Sequence, residues 1–186
     1  TKVGIVGTLS LGAEGASGMG WTPIASLNDG SGQSLVFEEV RKVLMPFGPG
    51  DAHRALAEFN WRMIATTNYD LLIENAYSDI RNRQQNLVKF VKDDEPVEAR
   101  LQETERPVQY LKLHGCLDCI HDNDVPPILT KESYSRYSEN RTRLFGRIVD
   151  YAHESTLLFI GYRLDDAHIR DLIYKIGTQK RPRWFM

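Results

Sequence analysis

The sequence predicts an α/β fold in which a mostly parallel sheet carries helices on both faces. Two observations lead to it. Short apolar or β-branched runs alternate along the chain with segments of helical periodicity, the order that strand–helix–strand crossovers produce. Several of those runs also end in small or polar residues that pass directly into a helical pattern, as at Thr66-Thr67-Asn68-Tyr69-Asp70. The chain has 186 residues, with 41% hydrophobic and 26% charged residues, a size and balance suited to one core-bearing domain.

Taken in order, residues 3–9 read as a first strand, followed by a glycine-rich loop up to Gly20. Residues 28–34 read as a second, polar loop. Residues 35–44 read as a helix, because Leu35, Val36, Val40, Val43 and Leu44 recur near helical spacing. Pro46 and Pro49 end it, and Asp51 is the expected N-cap of a helix over 52–59. Residues 63–67 form a short β-rich run, and 71–77 a helix. Residues 79–106 are rich in charge and read as a solvated helical insertion within a single domain spanning 1–186. Residues 108–113 form a strand ending in His114-Gly115, with a polar loop over 118–127. A long helix is expected over 133–153. Residues 156–160 read as a buried strand ending at Gly161-Tyr162. Residues 165–176 read as a last helix, with Ile169, Leu172, Ile173 and Ile176 on one face. Another strand begins at Arg183. With no initiator methionine at one end and a strand beginning at the other, the chain is expected to be part of a longer protein.

Composition narrows the function. A formal net charge of −2 gives no global attraction to nucleic acid. No apolar run approaches the ~20 residues of a membrane helix, and the first residues are too polar for a signal peptide. Two cysteines cannot build a disulfide framework, which points to a reducing cytoplasm. Cys116-Leu117-Asp118-Cys119 with His121 resembles half of a zinc site, but a structural zinc needs four ligands, so two reduced thiols and no metal are expected.

In parallel α/β sheets, ligands bind outside the carboxyl ends of the strands. The strand ends here carry Gly7-Thr8-Leu9-Ser10, Thr67-Asn68-Tyr69-Asp70, His114-Gly115 and Gly161-Tyr162. Glycines after the first strand would let backbone N–H groups approach a phosphate. Asn68 alone reads equally well as a turn former or cap, and His114 alone as a core histidine. Together they place an amide and an imidazole on neighbouring strand ends. His53, His121, His153 and His168 read as surface or helix residues.

The runs Thr66-Thr67-Asn68-Tyr69-Asp70, Lys112-Leu113-His114-Gly115 and Gly161-Tyr162-Arg163-Leu164-Asp165-Asp166 resemble, in order and spacing, the bacterial sirtuin-like domains of antiphage defence systems. The first strand of that family usually ends Gly-Ala-Gly-x-Ser. Here the match is Gly7-Thr8-Leu9-Ser10, with Gly12-Ala13-Glu14-Gly15-Ala16-Ser17 as a second alignment, and Arg163 stands where the family often has serine.

The resemblance implies a Rossmann-like NAD-binding fold that hydrolyses NAD⁺, as substrate, to ADP-ribose and nicotinamide. It implies that His114 acts as base toward a ribose hydroxyl or water, with the ordinary imidazole pKa near ~6.5, and that Asn68 positions the water or ribose. Gly7, Thr8 and Ser10 would hold the pyrophosphate. Thr67, Gly161 and Tyr162 would line the ribose–adenosine side, and Asp70 would orient the loop or the nicotinamide end. Homo-oligomerisation, a second defence-system protein or a fused sensor domain are the partners it implies. Two alternatives remain open: a non-catalytic NAD or ADP-ribose sensor or structural subunit, and a sirtuin-type protein deacylase, whose usual four-cysteine zinc module this chain lacks.

Overall fold

The computed structural model describes residues 2–6, 30–129, 131–162, 166–177 and 184–185. In chain order its elements are β1 (Lys2–Val6), α1 (Gly30–Leu44), α2 (Asp51–Leu56), β2 (Met63–Thr66), α3 (Leu72–Asp79), β3 (Asn86–Phe90), α4 (Val97–Gln102), β4 (Pro107–Lys112), α5 (Lys131–Ser135), α6 (Thr142–Glu154), β5 (Thr156–Ile160), α7 (Ala167–Gly177) and β6 (Trp184–Phe185). Among the described residues the strands form one sheet in the order β3-β4-β2-β1-β5-β6. Every pairing is parallel, so the fold is the expected Rossmann-like α/β arrangement.

The pleat divides the core. Met63 and Ala65 of β2, Leu111 of β4, Val88 and Phe90 of β3, and Leu157 and Phe159 of β5 share one face, packed against α4, α6 and α7. Ile64, Val108, Tyr110, Leu158 and Ile160 point the other way, against Leu56 and Ala57 at the end of α2 and Ile73 and Tyr77 of α3. Both faces of β2 and β4 are therefore buried, including the polar Thr66, Gln109 and Lys112. Full burial of one large apolar side chain contributes about 1.5–3 kcal/mol. Gly4 in β1 lets the Trp61 ring come close, since a Cβ there would lie 3.1 Å from a ring carbon.

Four local expectations change. Residues 79–106 contain the edge strand β3 as well as α4. Charged and polar residues flank β3, and Leu87 and Lys89 are only half-buried, so its alternation is weak in sequence. Lysine on an exposed edge also discourages pairing with another chain. The long helix expected over 133–153 is broken between α5 and α6, where Asn140 adopts a positive φ of 54°. A distant residue sets the break: the Asp93 carboxylate accepts the backbone N–H groups of Arg143 (2.9 Å) and Leu144 (3.1 Å) and so caps α6. Finally, α1 begins at Gly30, within the expected polar loop, as cooperative growth from the amphipathic stretch allows. The cap of α2 is Gly50, whose N–H donates to His53 Nδ1 at 3.2 Å, one residue before the expected Asp51.

Strand β1 lies between β2 and β5, and the chain turns to opposite sides of it: toward β2, β4 and β3 in one direction, and toward β5 and β6 in the other. That reversal is where open parallel sheets leave a crevice at their carboxyl edge.

Candidate functional site

The register brings Asn68 and His114 to one edge. Thr66 pairs with Lys112 at the ends of β2 and β4, and each of the two residues follows its strand by two positions. The Leu113 N–H donates to the Thr66 carbonyl (2.9 Å), carrying the pairing one step beyond the strands. The Asn68 N–H donates to the buried Thr66 Oγ1 at 3.1 Å. Past Asn68 the loop is tied down twice. The Asp70 carboxylate accepts the Leu72 N–H at 3.0 Å, and the Asp70 carbonyl accepts a hydrogen bond from the fully buried Lys112 Nζ.

His114 is buried, and three side chains far away in sequence surround it. Its Nε2 lies 3.4 Å from His168 Nδ1 and 3.6 Å from Asp166 Oδ2. Asp166 is held by its other oxygen, which accepts Tyr134 OH at 3.0 Å, the His168 N–H at 2.9 Å and the Ile169 N–H at 3.3 Å. The His168 ring is stacked between Tyr134 and Tyr137, with centroid distances of 3.8 and 3.5 Å. The Ile128 N–H donates to the His114 carbonyl (2.9 Å), and Tyr69 OH donates to the Ile128 carbonyl. The next residue, Gly115, has φ 97°, and a Cβ there would sit 2.9 Å from Pro127 Cα.

Burial sets the protonation state. It is the largest influence on His114 and pulls its pKa down to about 4, against the opposing effect of Asp166 and with the help of His168 and Arg141. Burial lowers His168 as well, again opposed by Asp166. Both rings are neutral near pH 7, so the ordinary imidazole pKa expected for His114 is corrected by desolvation. A neutral ring can accept a proton or a hydrogen bond.

Thr67, Asn68, Asp70 and Tyr162 are all partly buried, and Gly161 at the end of β5 has φ 63°. Gly7, Thr8 and Ser10, like the second alignment over 12–17 and Arg163, lie outside the described residues. His121 and His153 are exposed as expected. His53 in α2 and His168 in α7 are helix residues, also as expected, but both are buried, and His168 belongs to the site. The signal was in the spacing, since His168, Leu172 and Ile176 fall at helical intervals on the buried face of α7. Among the described residues, the donors close enough to share an ion are His114, Asp166 and His168, not Cys116, Cys119 and His121.

A parallel sheet flanked by helices, with paired imidazoles gathered at its carboxyl edge, defines a Rossmann-like α/β domain with a polar site at one end. The chain belongs to the SIR2-like domain family, whose sequence profile matches residues 62–186, a span that includes Asn68, His114, Asp166 and His168. It is similar to a protein named NAD(+) hydrolase ThsA from Cytobacillus dafuensis, with 27% identity over 124 residues. That alignment covers 67% of this chain and 23% of the relative, so the chain corresponds to under a quarter of that protein's length. No helix among the described residues is long and apolar enough to cross a membrane.

Proposed function

We propose that this domain hydrolyses NAD⁺ at the nicotinamide–ribose bond, giving ADP-ribose and nicotinamide. The observation that carries the proposal is the placement of Asn68 and His114 on adjoining strand ends of a SIR2-like domain, with the neutral His114 ring at the carboxyl edge of the sheet. The named activity of the relative agrees with it. When the C–N bond breaks, its electron pair goes to nicotinamide, which departs neutral and needs no acid. Water adds at the same ribose carbon and gives up a proton. His114 takes that proton, or first one from a ribose hydroxyl, and the Asp166 carboxylate 3.6 Å away offsets the charge that forms. Asn68 fixes the water or ribose. Thr67, Gly161 and Tyr162 line the ribose–adenosine side, Asp70 holds the loop after β2, and Gly7, Thr8 and Ser10 bind the pyrophosphate. In the cell this reading makes the domain a cytoplasmic antiphage effector that depletes NAD⁺, working as a homo-oligomer or with a sensing partner.

The test follows nicotinamide and ADP-ribose by chromatography after incubation with NAD⁺, for the wild type, Asn68→Ala and His114→Ala. Loss of a positioned base costs about 10²–10⁴ in rate, and a drop of that size is expected in His114→Ala, with a clear loss in Asn68→Ala. Undiminished turnover in both variants would overturn the residue assignment. NAD⁺ binding without products from the wild type would overturn hydrolysis.

A further inference from the structure

The contacts among His114, Asp166 and His168 are too long for good hydrogen bonds and well spaced for something else. The nearest approaches are 3.4 Å between the two ring nitrogens, 3.6 Å from His114 Nε2 to Asp166 Oδ2, and 3.8 Å from His168 Nδ1 to Asp166 Oδ1. Strong hydrogen bonds between such groups are about 2.7–3.2 Å long. A tetrahedral ion bound at about 2.0–2.2 Å from nitrogen and oxygen ligands holds its donors about 3.3–3.6 Å apart. One donor atom from each residue lies within 4.8 Å of the other two, so side-chain movements of about an ångström would bring them to the spacing that one ion needs.

We propose that His114 Nε2, His168 Nδ1 and the Asp166 carboxylate form a binding site for a late first-row divalent metal ion, with Zn²⁺ as the fitting case. Two imidazoles and one carboxylate suit zinc, cobalt or nickel rather than calcium or magnesium. One carboxylate charge facing two rings suits a divalent cation in a buried place. The groups behind the donors are those that metal sites use to fix their ligands. Tyr134 OH and two backbone N–H groups hold Asp166 Oδ1. Two tyrosine rings clamp His168. The Ile128 N–H fixes the backbone at His114. Three protein ligands leave the fourth position to water, the form of an open site.

A bound ion would occupy the lone pair on His114 Nε2, so the ring could not accept a proton while the ion is there. Metal would then inhibit NAD⁺ hydrolysis; this consequence rests on the function proposed above, whereas the binding does not.

The test uses protein stripped with a chelator and dialysed. Co²⁺ is titrated while the visible d–d absorption of the ion is read, and Zn²⁺ is then competed against a chromogenic chelator. One equivalent per chain is expected. Loss of even an outer partner typically weakens metal binding about 10–100-fold, and Asp166→Asn, His168→Ala and His114→Ala should each weaken it at least that much. Asp166→Asn keeps an acceptor for Tyr134 and the backbone N–H groups, so its loss of binding is not a loss of fold, and melting of each metal-free variant checks this. His121→Ala, at an exposed histidine, should bind like the wild type. No binding by the wild type, or equal binding by all three site variants, overturns the site. Zn²⁺ that binds at this site yet leaves NAD⁺ turnover unchanged supports the metal site and overturns the role given to His114.

Discussion

The His168 imidazole lies face to face with the Tyr137 ring, at a centroid distance of 3.5 Å and with the planes 15° apart. Tyr134 covers the opposite face, so the ring beside His114 cannot rotate freely. Tyr137→Ala opens one side of that clamp and should lower NAD⁺ hydrolysis, because a misplacement of about 1 Å near a reacting centre can cost ~10²-fold. Tyr137→Phe keeps the stack and should stay near wild-type activity. Initial rates for the two variants, with melting curves as a check on folding, decide whether the stack matters.

Stability should fall as the metal-free protein is acidified. Burial lowers His53, His114 and His168 in the folded state, so the unfolded chain binds more protons below the ordinary imidazole pKa. Stability is then full above pH ~6.5 and is lost as pH falls toward the folded value, about 4 for His114. The His114 contribution is on the order of 3 kcal/mol. Urea midpoints between pH 7.5 and 4.5 should slope downward with acid, and less steeply in His114→Phe. A flat profile would show that these rings are not held neutral.

Two glycines should respond in opposite ways. Gly115→Ala forces a side chain into the left-handed region and against Pro127, 2.9 Å away, and should cost about 1–3 kcal/mol. Gly146 lies within α6, where an added Cβ would meet nothing within 4 Å, so Gly146→Ala should add about 0.5–1 kcal/mol. Denaturant unfolding of the two variants side by side measures both.

Lys112 is fully buried, donates to the Asp70 carbonyl and lies 3.7 Å from Glu74 Oε1, while Tyr110 OH donates to Glu74 Oε2 at 3.1 Å. Breaking one partner of a buried ion pair costs about 3–5 kcal/mol. Lys112→Met should fall in that range and should also loosen the loop that carries Asn68. The double variant Lys112→Met with Glu74→Gln should recover part of the loss, and its coupling can be read from the cycle of single and double variants.

Much of this was legible in the chain because the relevant signals are local. Strands β2 and β5 stand out as apolar or β-branched runs, β4 is a mixed run ending just before His114, and the ends of β2 and β4 mark Asn68 and His114. The features that escape a reading of the sequence depend on partners far away. β3 is a half-buried edge strand among charges. The break before α6 is dictated by Asp93, some fifty residues earlier. His168 finds His114 across 54 residues, and only its position four residues before Leu172 betrays it. The thiols Cys116 and Cys119 are free, but the donors that gather are elsewhere.

The central place of β1 bears on how the domain is made. Lys2–Val6 precedes every other described element, yet one of its two neighbours in the sheet is β5, at Thr156–Ile160. A ribosome must therefore release the chain through Thr156–Ile160 before that strand finds its second partner. Until then the growing chain holds an open parallel edge that β5 later covers. Such non-local pairing is slow and leaves the nascent chain exposed to aggregation. Stalled or truncated products ending before Thr156 should be chaperone clients rather than folded half-domains.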